Sequence, residues 1–256
     1  MKTIALVPVF NEAKNITDVL TELEDFVDEI LIINDGSWDG SERLIKAWFS
    51  EGHSGQLITL NRNKGNAAAI LAGYAFIDLR LHASTLKRGD MVVTIDADGQ
   101  HRPGDIPRLI DFLVKNDLDM VRGRRSFAKY PGYKRAGNKV VSRLLSVIAG
   151  RRLYDAMSGF CVQRAYTIEP LLEFATGYRY SMQGEIAIIL TRAGYRVSDE
   201  PRVDVPYFQS HTRYRDVFIN LALGLTALFR VLLSIKSTRH RRLPMPGSPT
   251  ERRRAA

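Results

Sequence analysis

Residues 92–101 read VVTIDADGQH, an apolar, β-branched run that ends in two carboxylates one residue apart. A run of this kind forms a buried strand. Asp96 and Asp98 then leave its carboxyl end together beside Gly99, at the edge where open α/β sheets take up ligands. Like charges this close repel, which costs stability unless a cation or a hydrogen-bonding ligand lies between them. The pair therefore asks for a metal ion.

Three more loops are expected at the same edge: PVFNEAKN after a first strand, NDGSWDGS after a second and NRNKGNAA after a third. Pro8 and Phe10 offer an apolar wall. Glu12 and Asp35 are suited to accept hydrogen bonds from ribose hydroxyls or base N–H groups. The glycine-rich phosphate loops G-x-G-x-x-G and G-x-x-x-x-G-K-[ST] are absent, so a nucleotide would be held by acidic and polar side chains together with a metal. Arg124 and Arg125, at a later strand end, have the planar fork that binds phosphate in bidentate fashion. The turn DAMSGF carries Asp155 and Ser158, either as turn builders or as site residues. His101 shapes the turn after Asp98, and the five histidines show no metal-ligand spacing.

The elements that must position these residues follow from the hydrophobic pattern. Strands are predicted at 3–8, 29–34, 56–60, 91–96 and 119–123, with helices at about 15–26, 41–50, 66–82 and 103–116. That alternation predicts an α/β fold built from βαβ units with a mainly parallel sheet flanked by helices. Further on come a basic loop, a helix near 137–149, a helix near 183–193 and short strands at 160–164 and 197–206. No linker separates them from the first half, so residues 1–212 read as one domain. Residues 213–235 read as an apolar, amphipathic C-terminal helix, interrupted by Asn220 and Arg230. Its uninterrupted part is shorter than the roughly 20 residues of a spanning helix, which favours a helix at an interface or packed on the core. Residues 236–256 form a basic tail.

Hydrophobic residues make up 45% of the 256 and aromatics 9%, the composition of a folded globular chain. Cys161 is the one cysteine, which excludes an internal disulfide framework and a cysteine zinc cluster. The start, MKTIALVPVF, runs straight into a strand and then into polar residues, which places the chain in the cytoplasm rather than in a secretory route. The net charge is +9, of which the tail supplies +6 from seven Lys and Arg against Glu251. Such a tail suits an anionic surface, lipid headgroups or nucleic acid, and equally suits a solvated end.

The motifs VPVFNEAKNI, IINDGSWDGS, NKGNAAAILAGY, IDADGQHRP, RGRR, DAMSGF and GYRYSMQGEIAIILTRAGYRVSDEPRVDVP, in that order, resemble the family-two glycosyltransferases of GT-A fold, especially the dolichol-phosphate mannose synthase-like branch. The resemblance spans roughly 3–206. It implies that Asp96, Asp98 and Gln100 hold the divalent cation against a nucleotide-sugar diphosphate. It also implies that Pro8, Phe10, Glu12 and Asp35 contact the nucleoside. Asn34 stands where the family commonly has Asp, and Phe10 where Tyr is frequent.

The expected activity is a metal-dependent, inverting hexosyl transfer from a UDP- or GDP-sugar to a polyprenyl phosphate, a glycolipid or another membrane-proximal acceptor. Asp96 and Arg124 then serve donor binding, while Asp98 and Arg125 support the departing diphosphate. A phosphate acceptor is already an anion and needs no base. A hydroxyl acceptor needs one, and Glu185 in MQGEIAI is the candidate, unless it pairs with Arg135 or Arg192. Nucleic acid is not expected as a partner, and the chain is expected at the inner face of the membrane, docked through 217–235 and the tail. The rival reading is a catalytically inactive transferase scaffold that binds an anionic surface or nucleic acid. Sugar nucleotidyltransferases are set aside because VPVFNEAKN contains no glycine.

Overall fold

The computed structural model describes residues 1–126, 130, 132–178 and 182–205, and, further on, 222, 225, 226, 228–230, 232 and 233. The tail expected at 236–256 and most of the helix expected at 213–235 lie outside the described residues.

A seven-stranded sheet runs in the order β3-β2-β1-β4-β7-β5-β8. Its strands are β1 (Thr3–Val9), β2 (Glu29–Asn34), β3 (Gln56–Thr59), β4 (Met91–Thr94), β5 (Met120–Arg122), β7 (Cys161–Arg164) and β8 (Val197–Ser198). A two-stranded parallel ribbon joins β6 (Arg124–Arg125) to β9 (Arg202–Val203). The helices are α1 (Ile16–Leu23), α2 (Ser41–Ser50), α3 (Asn66–His82), α4 (Ile106–Lys115), α5 (Gly132–Ala149), α6 (Ile168–Phe174) and α7 (Met182–Arg192).

The strands split the core by their two-residue period. Ile4 and Leu6 of β1, Leu31 and Ile33 of β2 and Val92 of β4 face one layer, against Ile70, Tyr74 and Ile77 of α3 and Met182, Ile186 and Ile189 of α7. Ala5, Val7, Ile30, Ile32, Met91 and Val93 face the other, against Leu20 of α1, Trp48 of α2 and Leu109 of α4. Both faces are covered, which is why these strands read as continuous apolar runs. Gly73 lets α3 lie close on the sheet, since a Cβ there would stand 2.2 Å from Leu6 Cδ1. A smaller cluster joins Val141, Leu145 and Ala149 of α5 to Ala187 and Ile188 of α7.

β1 pairs with β2 on one side and with β4 on the other, all in parallel. The strand order therefore reverses direction at β1, and a crevice opens beyond the carboxyl ends of β1 and β4. β7 is antiparallel to both its neighbours, β4 and β5. It runs back from the carboxyl edge, so the turn at 155–159 that precedes it lies beside the loop that follows β4. The sequence pattern did not foresee this reversal, nor β6 or α6. β4 also ends at Thr94, so Asp96 and Asp98 stand in the loop beyond the strand.

Candidate functional site

Four loops meet at the crevice, and backbone-to-side-chain hydrogen bonds lace the first two together. Asn11 N–H donates to Ser37 Oγ at 3.0 Å and Trp38 N–H to Asn11 Oδ1 at 3.0 Å. Glu12 N–H donates to Ser41 Oγ and Ala13 N–H to Asp39 Oδ2, both at 2.9 Å. Asn34 is a loop builder, accepting from Ser37 N–H and donating to Glu42 Oε2. Pro8 lies buried inside β1, while Phe10 and Glu12 stand half-buried just past its end.

Asp35, expected to contact the nucleoside, is engaged by the backbone of the third loop. Its two oxygens accept Lys64 N–H at 2.8 Å and Gly65 N–H at 2.7 Å, and the residue is 2% exposed. It acts on the crevice through the Lys64–Gly65 backbone, which it clamps to the end of β2.

Asp96 and Asp98 come to the crevice together, half-buried, with Gln100 N–H donating to Asp98 Oδ1 at 3.0 Å. Their environments push them apart. Burial works to raise the Asp96 carboxyl, but nearby His101, Arg125 and Asn66 outweigh it and hold Asp96 below the ordinary carboxylate range. Burial and then the Asp96 charge raise Asp98. Glu12 is raised too, first by burial and then by Asp98, Asp39 and Asp96, against a hydrogen bond from Asn15 that lowers it. The crevice thus concentrates negative charge and favours a cation.

His101, Asn66 and Gly159 support this loop. His101 Nε2 lies 3.7 Å from Asp96 Oδ2 and its ring packs on Phe160. Asn66, at the start of α3, lies beside Asp96 and accepts from Gln183 Nε2 of α7 at 3.2 Å. Gly159 allows the 155–159 turn to touch the Asp96 loop, because a Cβ there would lie 2.8 Å from Asp96 Oδ2. Glycine at that place in DAMSGF was the available signal, but its partner was set by β7 running antiparallel.

Arg125 was expected on a phosphate, but its fork closes on Asp155. Nε donates to Oδ2 at 2.8 Å and Nη2 to Oδ1 at 2.9 Å, and Asp155 is fully buried. Asp199 fixes the same turn by accepting Tyr154 N–H and Asp155 N–H. Arg124, on the opposite face of β6, lies over the Tyr154 ring at 4.4 Å. Buried Arg122 ties the turn to α7 by donating to Ala156 O and Gln183 O, each at 2.7 Å. Glu185 is 1% exposed and accepts both the N–H and the hydroxyl of Thr176. Glu185, the candidate base, thereby ties α7 to the segment after α6, and it pairs with neither Arg135 nor Arg192. Arg192 instead donates to Ile148 O and Val147 O.

Among the described residues no group of three or more His, Cys, Asp or Glu could enclose an ion. Two hard carboxylates at an open crevice suit a cation that completes its shell with substrate phosphates and water. Asp96 and Asp98 fit that donor set, and the mutual repulsion that raises Asp98 is what a dication would relieve.

The model of the family described as Glycosyl transferase family 2 matches residues 4–173. An uncharacterised protein of Methanocaldococcus jannaschii is 30% identical over 218 residues, covering 82% of this chain and 91% of its own length. The undecaprenyl-phosphate 4-deoxy-4-formamido-L-arabinose transferase of Klebsiella pneumoniae is 30% identical over 172 residues. That match covers 64% of this chain and 48% of the transferase, so the chain spans about half that relative's length. Among solved structures, glucosyl-3-phosphoglycerate synthase of Mycobacterium tuberculosis in complex with Mn2+, UDP and phosphoglyceric acid superposes with a TM-score of 0.65. At 16% identity, with 90% of this chain and 78% of that one covered, it speaks for the fold alone. The fold with its reversal at β1 and the family match over residues 4–173 agree: this chain is a glycosyltransferase of GT-A fold and belongs to glycosyl transferase family 2.

Proposed function

We propose that the chain transfers a sugar, with inversion, from a UDP- or GDP-sugar to a polyprenyl phosphate or another anionic acceptor at a membrane surface, with Mn or Mg bound. The observation that carries this reading is the Asp96–Asp98 pair in the loop after β4, beside the β1 reversal of strand order where the crevice opens. The name of the Klebsiella relative, an undecaprenyl-phosphate sugar transferase, supports the acceptor class.

Asp96 and Asp98 would hold the cation, with Gln100 beside them, and the cation would neutralise the departing diphosphate. Phe10 and Glu12 take the nucleoside, and Asp35 fixes the Lys64–Gly65 wall behind it. Arg125, locked by Asp155, adds positive charge that reaches Asp96. A phosphate acceptor arrives ionised, so no proton need be removed from it. This accords with Glu185, whose oxygens are engaged by Thr176.

The membrane part rests on two apolar rows. On α5, Val140, Leu144 and Val147 are exposed, with exposed Lys139 just before them and exposed Arg143 between Val140 and Leu144. Leu228 packs against the α5–α7 cluster, and Leu225, Phe229, Leu232 and Leu233 near it are exposed. Residues 120–154 hold ten Lys and Arg and no Asp or Glu. No helix among the described residues is long and apolar enough to cross a membrane. An apolar face combined with a polybasic patch makes a two-part peripheral anchor, which would set the chain on the anionic cytosolic face.

Isothermal titration calorimetry of the full chain with UDP and GDP, with and without chelator, tests the donor side. Binding of one nucleotide that chelator removes is expected. Equal heats with and without chelator would exclude the metal role, and no heat at all would favour the inactive scaffold. Flotation with anionic vesicles tests the membrane side. The parent chain should float at low salt and sink as salt rises, and Val147→Glu and Leu225→Glu should each reduce flotation. Equal flotation of all three would remove the apolar rows from the anchor.

A further inference from the structure

Trp38 has no packing role that accounts for it. It stands in the loop between β2 and α2 with 76% of its surface exposed, more than any other large aromatic residue among those described. Burial of an indole is strongly favourable, so a lone exposed one at a crevice needs a reason. The loop beneath it is not loose. Trp38 N–H is bound to Asn11, Ser37 before it accepts Asn11 N–H, and Asp39 after it accepts Ala13 N–H, Ser41 N–H and the Ser41 hydroxyl.

The chain's other tryptophan shows the contrast. Trp48 is 1% exposed, its Nε1–H donates to Thr21 Oγ1 at 3.2 Å, and its ring stacks on His53. No described residue accepts a hydrogen bond from the Trp38 indole, whose ring contact is with Phe10. The two centroids are 4.9 Å apart and the planes are at 82°. Two rings at a right angle form an aromatic corner, one wall of which is the half-buried Phe10 beside Glu12. A planar heterocycle entering it lies flat on one ring and meets the edge of the other, which is the favoured arrangement for aromatic groups. Glu12, next to the corner, is an acceptor for N–H groups on the rim of such a ring.

We propose that Trp38 is a binding residue for the heterocyclic base of the nucleoside diphosphate, which stacks in the corner between Trp38 and Phe10. The inference rests on the nucleotide-sugar reading and adds to it the residue that grips the base. Base-on-aromatic stacking tolerates any base because each has a π-face. Trp38 therefore strengthens binding of UDP and GDP alike, and the choice between them falls to the polar groups around it.

The test uses tryptophan emission of the full chain, since the two tryptophans differ so sharply in exposure. UDP and GDP are titrated with Mg, and the same samples are measured by calorimetry. Saturable quenching is expected in the parent chain, with none in Trp38→Phe, where the buried Trp48 remains the sole emitter and reports that the fold is intact. Trp38→Ala should weaken nucleotide binding and raise the donor KM roughly tenfold with kcat at saturating donor retained, and Trp38→Phe should recover most of the loss. Calorimetric binding with no change in Trp38 emission, or an unchanged affinity in Trp38→Ala, overturns this inference alone. Absence of calorimetric binding for both nucleotides overturns the nucleotide-sugar reading and this inference together.

Discussion

Asp98→Asn is expected to cut kcat/KM by about a hundredfold or more, because in the proposed metal site it removes one of two anionic ligands and with it several kcal/mol of charge stabilisation at the leaving diphosphate. The apo protein should not suffer. Burial and the Asp96 charge raise the Asp98 carboxyl above its unfolded value, so in the folded state the ionised form is disfavoured. For a carboxyl shifted upward, the cost of ionisation is present above the folded value and disappears as pH falls toward the unfolded one. Asparagine keeps an oxygen for Gln100 N–H without the charge. Thermal unfolding in chelator should accordingly give Asp98→Asn a Tm at pH 7 equal to or above that of the parent, with the difference closing in acid. A clear loss of Tm would make Asp98 a structural residue. Retained activity at saturating Mg or Mn would remove it from the metal site.

Asp155→Asn should have the opposite signature, with a large loss of stability and a loss of activity that follows from misplacement of Arg125. Asp155 is fully buried and the Arg125 side chain is 22% exposed. Removing one partner of such a pair leaves an uncompensated charge and costs about 3–5 kcal/mol. For a chain of this size that corresponds to a fall in Tm of roughly 10 °C. Burial raises the Asp155 carboxyl, yet Arg125 by charge and hydrogen bonding, assisted by Arg122, brings it below the ordinary range. Stability from this pair is therefore complete above the unfolded value near 3.8 and is lost as pH falls through the lower folded value. The double variant Asp155→Leu with Arg125→Met should regain most of the stability but not the activity. Melting by circular dichroism decides the first point and donor turnover the second. A Tm within a degree or two of the parent for Asp155→Asn would mean that the pair is not what holds the turn.

How much of this was legible beforehand depends on the range of the interactions. The helix predicted at 66–82 is observed as Asn66–His82, and the one at 41–50 as Ser41–Ser50. The strands at 29–34 and 3–8 were also legible, because sheet burial on both faces writes itself as an unbroken apolar run. Asp96 and Asp98 were visible for the same local reason, as carboxylates at the end of such a run. What one sequence position cannot carry is the identity of a distant partner. Asp35 and Glu185 read as groups offered to a ligand, and the structure gives each a protein partner as well, the Lys64–Gly65 backbone and Thr176. A buried carboxylate must be paired, and only the packing of the loops decides with what.

The same distinction applies to the turn at 155–159. Its residue types announced a turn. Its place beside Asp96 came from β7 entering the sheet antiparallel between β4 and β5, a choice made by the pairing of strands more than thirty residues apart in sequence. Local composition thus determined the strands, the helices and the acidic loop after β4. Tertiary structure decided that Asp155 would hold Arg125, that Gly159 would lie against Asp96 and that Trp38 would stand against Phe10. These are contacts between loops whose ends the sheet brings together, and their energies depend on burial and on partners that the order of residues along the chain does not specify.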